Sequence, residues 1–411
     1  MTENLKPENN DQVLESVQWA VTQKIPLDVR GQGTKLGMGR PVEADHILDL
    51  SGLSEITDYQ PSELFVTANA GTPMKDIYAA LDQQNQQLMF EPPDYGPLLG
   101  GAVDQGTLGG LVACNIAGPR RIKAGSARDN CIGFHAVSGR GEMFKSGGKV
   151  VKNVTGFDLS KLMTGSYGTL AVMTEATLKV LPSPENTRTV LVRWAKDGDA
   201  DQLNNQAMTE ALVSTNEVSS AAHLPAKIAA RSAVAYLNSA GSAVTALRIE
   251  GPAPSTAYRC AALKELLSKF GEVEELHTKN SKMLWKEIAD VSYLAANQER
   301  AVWRISVPPT EGAHVVQRIL ESAEADVMYD WAGGLVWLQI DEVDQASKDL
   351  IWGSVVQAGG HATLVRASKQ LRQSDIVFQP LDPYMTGITK RVKNGFDPES
   401  ILNPGRMYKG I

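Results

Sequence analysis

Three glycine-rich segments are the part of this sequence whose residue types and spacing could do chemistry. They read "RGQGTKLGMG" at 30–39, "GTLGG" at 106–110 and "GSYGT" at 165–169. Glycine lets the backbone approach a ligand closely and point successive N–H groups at anionic oxygens, so each segment could hold a phosphate. A single segment of this kind is equally well explained as a surface turn. Three of them, each with a threonine, indicate a long phosphate-bearing cofactor of dinucleotide size.

The spacing within the first segment excludes the two commonest phosphate-binding motifs. A Walker A loop needs four residues between its first glycine and a Gly-Lys-Ser/Thr ending, whereas Lys35 lies here between Thr34 and Leu36. A Rossmann fingerprint needs G-x-G-x-x-G, and the spacing from Gly33 to Gly37 is one residue too long. The segment therefore predicts neither fold, and the identity of the phosphate stays open at this point.

Composition and charge narrow the class of protein. The chain has 411 residues, 43% of them hydrophobic and 21% charged, and its net charge is −7. This length predicts two or three domains, and without a Lys/Arg block we expect no nucleic-acid partner. The polar start and the lack of an apolar run of about 18 residues predict neither a signal peptide nor membrane insertion. Cys114, Cys131 and Cys260 form no metal-ligand pair, so we expect no metal site and a cytoplasmic location.

Periodicity predicts an α+β protein in three parts. Residues 1–182 combine short strands with helices, one of which we expect to begin with Thr72 as N-cap and Pro73 as the first helical residue. The turn "SPEN" marks the next boundary. Residues 187–370 give the order β-α-β-β-α-β twice, the pattern of a ferredoxin-like unit, and the two units could form one continuous sheet. Residues 371–411 are expected to form a helix and turns that pack back on the first part.

The order of the motifs resembles a known family. "RGQGT", "AGTPMKDI", "EPPD", "GTLGG", "GPRR", "ARDNCIGFHAVSGRGE" and "TGFDLSKLMTGSYGTLAVMTEATLKVLP" follow one another as in the FAD-binding domain of the vanillyl-alcohol oxidase and p-cresol methylhydroxylase family. The ending "DPESILNPGRMY" is similar to that of FAD-linked 2-hydroxyacid oxidoreductases, and the nearest group is the FAD-binding subunits of bacterial glycolate oxidase. The resemblance is dense over residues 10–182 and in the last 15 residues. It implies that the phosphate is the pyrophosphate of FAD.

The resemblance also implies how FAD is held. Many relatives bond the flavin to a His near the first segment or to a Cys before the second, and neither residue is present there, so we expect non-covalent FAD. Cys114 lies too late in the chain for that bond and is expected to be a small buried residue. Carried over by position, the pyrophosphate loop consists of Arg30, Gly31, Gln32, Gly33, Thr34 and Lys35, and a second wall consists of Thr107, Leu108, Gly109 and Gly110. The residues expected toward the isoalloxazine are Asn115, Gly118 and Pro119, and those expected near the flavin are Lys152, Asn153 and Thr155. The residues expected further along the cofactor are Gly125, Arg128 and Asp129, and those expected at its adenine end are Gly165, Gly168 and Val172.

Catalytic groups are harder to assign from the sequence. Arg120 and Arg121, with Lys123, could clamp the carboxylate of a small 2-hydroxy acid, because arginine binds a carboxylate through two parallel hydrogen bonds; a solvated turn and phosphate contacts are the alternatives. Oxidising such an acid also needs a base for the hydroxyl proton. Catalytic relatives carry clustered histidines, whereas no two of the six histidines here lie within two residues of each other. The catalytic base is therefore unassigned.

Three functional hypotheses follow from the resemblance. The first is an FAD-binding subunit of a glycolate oxidase complex, together with a homologous catalytic FAD subunit and an iron–sulfur subunit, located in the cytoplasm and peripheral at the inner membrane through that complex. The second is a self-sufficient FAD-dependent dehydrogenase for D-lactate or a related acid. The third is a catalytically silent FAD-binding subunit. The missing histidine cluster argues against the second hypothesis, and the sequence does not separate the first from the third.

Overall fold

A computed structural model describes residues 3–42, 44–148, 156–194, 197–238, 241–341, 344–373 and 377–411. The chain divides into two compact units. Unit 1 comprises Met1–Ala117, Gly125–Ser183 and Lys369–Ile411, and unit 2 comprises Gly118–Ala124 and Pro184–Ser368. The predicted α+β class is confirmed, since both units combine helices with sheets.

Unit 1 contains three sheets among the described residues. A five-stranded antiparallel sheet has the order β4-β5-β9-β7-β8, a three-stranded parallel sheet has the order β1-β3-β2, and β6 pairs with β10. The strands are β1 (Glu3–Leu5), β2 (Leu27–Arg30), β3 (His46–Asp49), β4 (Ile56–Gln60), β5 (Phe65–Asn69), β6 (Gln86–Gln87), β7 (Cys131–Ser138), β8 (Met143–Gly147), β9 (Ala171–Lys179) and β10 (Leu181–Pro182).

The helices alternate with these strands and continue through unit 2. In chain order they are α1 (Asn10–Gln23), α2 (Met74–Asp82), α3 (Leu108–Ala113), α4 (Arg121–Ala124), α5 (Ala127–Asn130), α6 (Leu159–Met163), α7 (Asp197–Val213), α8 (Ala226–Ala229), α9 (Ala235–Asn238), α10 (Ala253–Leu267), α11 (Thr278–Ala289), α12 (Gly312–Leu320), α13 (Gln345–Gln357), α14 (Lys369–Gln373) and α15 (Pro383–Phe396).

The start of helix α2 differs from the prediction. Pro73 is the N-cap and the helix begins at Met74, so Thr72 does not cap it. The hydroxyl of Thr72 instead accepts a hydrogen bond from the backbone N–H of Glu55 and donates one to its carbonyl, both at 3.0 Å. Because these two bonds use its hydroxyl, Thr72 connects the residues before α2 to Glu55 and makes no contribution to capping the helix.

Unit 2 is built on one antiparallel sheet that has eight strands among the described residues. Its order is β14-β11-β13-β12-β16-β17-β15-β18, and its two halves meet where β12 pairs with β16. In each half the strands and long helices follow the order β-α-β-β-α-β, and in the first half the short helices α8 and α9 lie between β12 and β13. The strands are β11 (Asn186–Trp194), β12 (Ser220–Leu224), β13 (Ala243–Gly251), β14 (Glu272–Leu276), β15 (Ala301–Ser306), β16 (Ala325–Asp330), β17 (Leu335–Ile340) and β18 (His361–Arg366).

Helix α11 was not predicted, although Leu284, Trp285 and Ile288 have helical spacing. It buries Leu284, Ile288 and Trp285, but it also buries Ser281, so its apolar stripe is interrupted. Ser281 Oγ lies 2.6 Å from the hydroxyl of Thr189 on β11, and Trp285 Nε1 donates to the same hydroxyl at 2.8 Å. Only these tertiary hydrogen bonds make a polar position compatible with a buried helix face.

Candidate functional site

A cleft in unit 1 brings the three glycine segments together. It consists of two adjoining cavities of about 590 and 510 Å³, which share lining residues from the first and second segments. Of the predicted cofactor-binding residues, those that line the cleft are Arg30, Gly31, Gln32, Gly33, Thr34, Lys35, Thr107, Gly109, Gly110 and Gly168.

The first segment supplies backbone donors to this cleft. Gly33 has a left-handed φ of 74°. Within the described part of the chain, no backbone carbonyl accepts a hydrogen bond from the N–H groups of Gln32, Gly33 or Thr34. Successive N–H groups that are not used by the fold form a concave site for an anion. The donors of this loop therefore suit an anion such as the pyrophosphate that the resemblance implies.

The charge around this loop is positive and buried. Burial lowers the pKa of Lys35, and the nearby Cys114 and Asp94 partly oppose this effect. Arg406, from the C-terminal tail, donates to the carbonyl of Lys35 at 2.9 Å and to that of Arg40 at 3.2 Å. The two carbonyl bonds fix the shape of the loop, and Asp28 offsets part of the positive charge. The positive charge that remains would favour an anion in the cleft.

The second segment forms a wall of the cleft rather than a set of donors. Helix α3 begins after Thr107, and the N–H groups of Leu108 and Gly109 donate to the carbonyls of Thr72 and Ala70 at 3.0 and 2.8 Å. The side chain of Leu108 is buried in the hydrophobic core. A Cβ at Gly109 would lie 2.9 Å from the Cβ of Ala70, so this glycine is required by the packing of α3 on the end of β5.

The third segment has three left-handed residues in four. Gly165, Tyr167 and Gly168 have φ values of 87°, 54° and 70°. Gly168 lines the cleft, and a Cβ there would lie 2.8 Å from the side-chain amide of Asn403. Val172 belongs to the hydrophobic core, so only its backbone could face a cofactor.

Several predicted residues have contacts that explain them without a cofactor. Asp129 accepts from the backbone and the hydroxyl of Ser126, which caps α5, and a Cβ at Gly125 would meet this carboxylate at 2.6 Å. Arg128 donates through Nε to the carbonyl of Lys161 at 3.0 Å, and its backbone N–H donates to Asn115 at 3.0 Å. None of the residues Asn115, Gly125, Arg128, Asp129 and Gly165 lines either cavity within the described part of the chain. Lys152, Asn153 and Thr155 lie outside the described residues.

The tail adds cleft residues that the sequence reasoning missed. Asn403 accepts from the N–H of Val29 and donates to the carbonyl of Tyr167, both at 2.8 Å. It thus joins strand β2, which leads into the first segment, to the third segment. Asn403, Arg406, Tyr167 and Cys114 all line the cleft. The motif "NPGRMY" was the available signal, because it matched the family although no site residue was assigned to it. Cys114 is half-buried at the cleft rather than in the core, and burial raises its pKa.

The basic turn that contains Arg120 and Arg121 belongs to unit 2. Its contacts leave only one of these two arginines for the predicted carboxylate clamp. Arg120 is buried and forms two hydrogen bonds to the carboxylate of Glu250, at 2.6 and 3.0 Å. A guanidinium edge that already holds a buried carboxylate is not available to a substrate, so Arg120 is removed from the predicted clamp. Gly118 also has a structural role, since its carbonyl accepts from Trp331 Nε1 at 3.0 Å. Arg121 remains as the candidate, with Pro119 before it in the same turn.

The four histidines of unit 2 lie on different elements, and His277 is the N-cap of α11. His223 is fully buried on β12, its Nδ1 lies 2.9 Å from the hydroxyl of Thr245, and burial lowers its pKa to about 3. His314 is exposed on α12, and His361 is at the start of β18.

Among the described residues, no helix has the length and apolar composition needed to cross a bilayer.

Comparisons with known proteins agree with this geometry. A family model described as an FAD binding domain matches residues 4–147. The structure of p-cresol methylhydroxylase with substrate bound superimposes with a TM-score of 0.72, at 16% identity, over 98% of this chain and 88% of that one. The fold and the cleft thus define a flavoprotein with the p-cresol methylhydroxylase type of FAD-binding fold, which confirms FAD as the cofactor.

The sequence relatives identify the family. The glycolate oxidase subunit GlcE of Escherichia coli (strain K12) is 33% identical over 396 residues, which cover 96% of each chain. The glycolate oxidase subunit GlcD of Bacillus subtilis (strain 168) is 26% identical over 427 residues, which cover 98% of this chain and 88% of the relative. The chain belongs to the family of the glycolate oxidase subunit GlcE, within the FAD-dependent oxidoreductases, as the resemblance implied.

Proposed function

We propose that this chain is the FAD-binding subunit of a glycolate oxidase complex that oxidises glycolate to glyoxylate. The observation that carries the proposal is the run of backbone donors at Gln32, Gly33 and Thr34, which the fold leaves for an anion in a chain of the GlcE family. The reaction removes a hydride from the carbon and a proton from the hydroxyl group. When bound, FAD accepts the hydride.

The residues of this chain would act mainly by binding and orientation. The loop at 31–35 would hold the pyrophosphate, Asn403 would keep this loop beside Tyr167, and the wall at Thr107 would exclude water from one side. FAD is held without a covalent bond in this proposal, because a raised pKa keeps the thiol of Cys114 protonated and a protonated thiol is a poor nucleophile.

We place the base and the onward electron transfer in partner subunits. His223 is fully buried, and its lowered pKa makes it a poor proton acceptor at neutral pH. A homologous FAD subunit would supply the base, and an iron–sulfur subunit would take the electrons. The three cysteines are unpaired, which suits the reducing cytoplasm, and the complex would bring the chain to the inner membrane.

A self-sufficient D-lactate dehydrogenase and a catalytically silent FAD-binding subunit remain as the alternatives. The test compares the purified FAD-loaded chain with the complex purified at natural stoichiometry, under anaerobic glycolate, by stopped-flow absorbance of the flavin. We expect flavin bleaching in the complex and little in the chain alone. Rapid bleaching in the isolated chain would establish it as the dehydrogenase, and bleaching of the partner's flavin alone would establish a silent subunit.

A further inference from the structure

Gly39, at the end of the first glycine segment, is explained by the C-terminal tail rather than by the cleft. It has a left-handed φ of 74°, and a Cβ at this position would lie 3.1 Å from the carbonyl oxygen of Arg406 and 3.3 Å from its Nε. Within the described part of the chain, Gly39 lines neither cavity of the cleft, whereas Gly31 and Gly33 line it. The segment therefore begins at the cofactor site and ends against the tail.

Two arginines from the last part of unit 1, Lys369–Ile411, hold four carbonyl groups at the end of this segment. The carbonyl groups belong to Lys35, Leu36, Gly39 and Arg40. Arg406 donates to the outer two at 2.9 and 3.2 Å. Arg372, on α14, donates through Nη1 to the inner two, both at 3.1 Å. The two side chains and the four carbonyl groups are called the tail clamp.

The tail clamp is connected directly to the backbone donors of the loop. The N–H group of Leu36 donates to the carbonyl of Gly33 at 3.2 Å, and that of Met38 to the carbonyl of Lys35 at 3.0 Å. Two consecutive turns thus lead from the N–H groups at 32–34 into the clamped residues. Lys35 lines the cleft, and its Nζ lies 3.6 Å from the position of a Cβ at Gly110. A shift of the clamped backbone would therefore move both the donors and this ammonium group.

The donors of the tail clamp are charged, which makes it stiff. Hydrogen bonds from an ionised donor are shorter and stronger than those between neutral groups. Arg372 is half-buried, and burial, followed by the charge of Arg406, lowers its pKa. A loop whose shape is already fixed costs less conformational entropy to occupy than a loop that the ligand must order. The clamp thus favours binding at a loop that it does not itself form.

We propose that Arg372 is a positioning residue for FAD: together with Arg406 it fixes the backbone that follows the pyrophosphate loop, so that the C-terminal tail sets the affinity for the cofactor. Arg372 lines neither cavity within the described residues, so it acts through the loop and not by touching FAD. The inference deepens the cofactor site of the proposed function and rests on it for the place of the pyrophosphate. It requires neither glycolate nor a partner subunit.

The test measures FAD affinity and loop rigidity separately. FAD is titrated by calorimetry into the FAD-free chain and into Arg372→Gln, and hydrogen exchange of the amides of Leu36 and Met38 is followed without FAD. Loss of the charge-assisted bonds should weaken FAD binding by about 10- to 150-fold and accelerate the exchange of both amides. Arg372→Lys, which keeps the charge but loses the planar guanidinium group, should recover only part of the affinity. Gly39→Ala disturbs the clamp from the loop side and should weaken FAD binding as well.

Arg366→Gln is the matched control. Arg366 also donates to two backbone carbonyls, those of Arg300 at 3.1 Å and Asn297 at 2.6 Å, but it belongs to unit 2. Its replacement should lower the stability of the chain and leave both the FAD affinity and the exchange of the two loop amides unchanged.

The remaining outcomes decide against the inference or against the proposed function. Unchanged FAD affinity in Arg372→Gln, or equal losses in Arg372→Gln and Arg366→Gln, would overturn the positioning role. Full recovery by Arg372→Lys with exchange that stays fast would assign the effect to charge alone and would overturn it too. Arg372-dependent FAD binding in a chain whose complex does not oxidise glycolate would sustain the inference and refute the proposed function. Glycolate oxidation by a complex in which Arg372→Gln binds FAD normally would do the reverse.

Discussion

Replacing Lys393 by methionine should destabilise unit 1 and loosen the FAD cleft. The ammonium group of Lys393 on α15 is buried and donates to Asp397 and to the carbonyl of Thr169, both at 2.7 Å, and to that of Leu402 at 3.0 Å. Thr169 belongs to the third glycine segment, and Leu402 precedes the cleft residue Asn403. The one side chain therefore connects the tail to the cofactor site.

The structure gives the size of the effect. Methionine has a similar length but no charge, so the variant leaves the carboxylate of Asp397, which is fully buried, without its cation. Breaking a buried ion pair by removing one partner typically costs about 3–5 kcal/mol. The N–H groups of Ile401 and Leu402 still donate to Asp397, at 3.1 and 2.9 Å, which favours the lower end of that range.

The assay is urea unfolding of the FAD-free chain, followed by circular dichroism, with hydrogen exchange of residues 393–403 as a local readout. Lys24→Met is the matched control, because Lys24 pairs with Glu399 at 3.1 Å on the surface, with side chains that are 75% and 40% exposed. An exposed pair contributes less than about 1 kcal/mol. The double variant Lys393→Met, Asp397→Asn should recover part of the loss. If Lys393→Met loses no more stability than Lys24→Met, the reasoning is refuted.

Three further predictions concern the loops and the buried charges. Gly33→Ala should weaken FAD binding, measured by flavin fluorescence, because alanine disfavours the left-handed φ of 74°. Gly359→Ala, at a φ of 71° in unit 2, should not. Burial would raise the pKa of Glu250, but Arg248 and Arg120 outweigh it and lower the pKa to about 2 from 4.5. The contribution of Glu250 to the free energy of unfolding should therefore be complete above pH 4.5 and decline as the pH falls toward 2. Acid unfolding monitored by fluorescence measures this, and a stability that does not change over this pH range would contradict the ion pair. Cys114 should react slowly with iodoacetamide at neutral pH, because burial raises its pKa. Mass spectrometry of the labelled chain measures the rate of labelling, and fast labelling would contradict the prediction.

Much of the secondary structure follows from local pattern. Val13, Val17 and Ala20 have helical spacing in the sequence, and the structure buries these three residues on one face of α1. The glycine segments likewise indicated a phosphate site, because a glycine's conformational freedom is a property of the residue itself. Helix α11 was missed although Leu284, Trp285 and Ile288 have helical spacing. The sequence could not show that Ser281 on its buried face has its partner 92 residues away.

The candidate binding residues also depend partly on local sequence and partly on contacts between distant parts of the chain. The sequence by itself determined which residues could meet an anion: the glycines at 31 and 33 and the arginines at 120 and 121. Only the tertiary structure decided which of them are available, because a side chain's partners lie far along the chain. Arg120 meets Glu250 130 residues later, and Asn403 meets Val29 374 residues earlier. Local sequence sets the chemistry of each group, but long-range packing sets its charge balance and its freedom to bind.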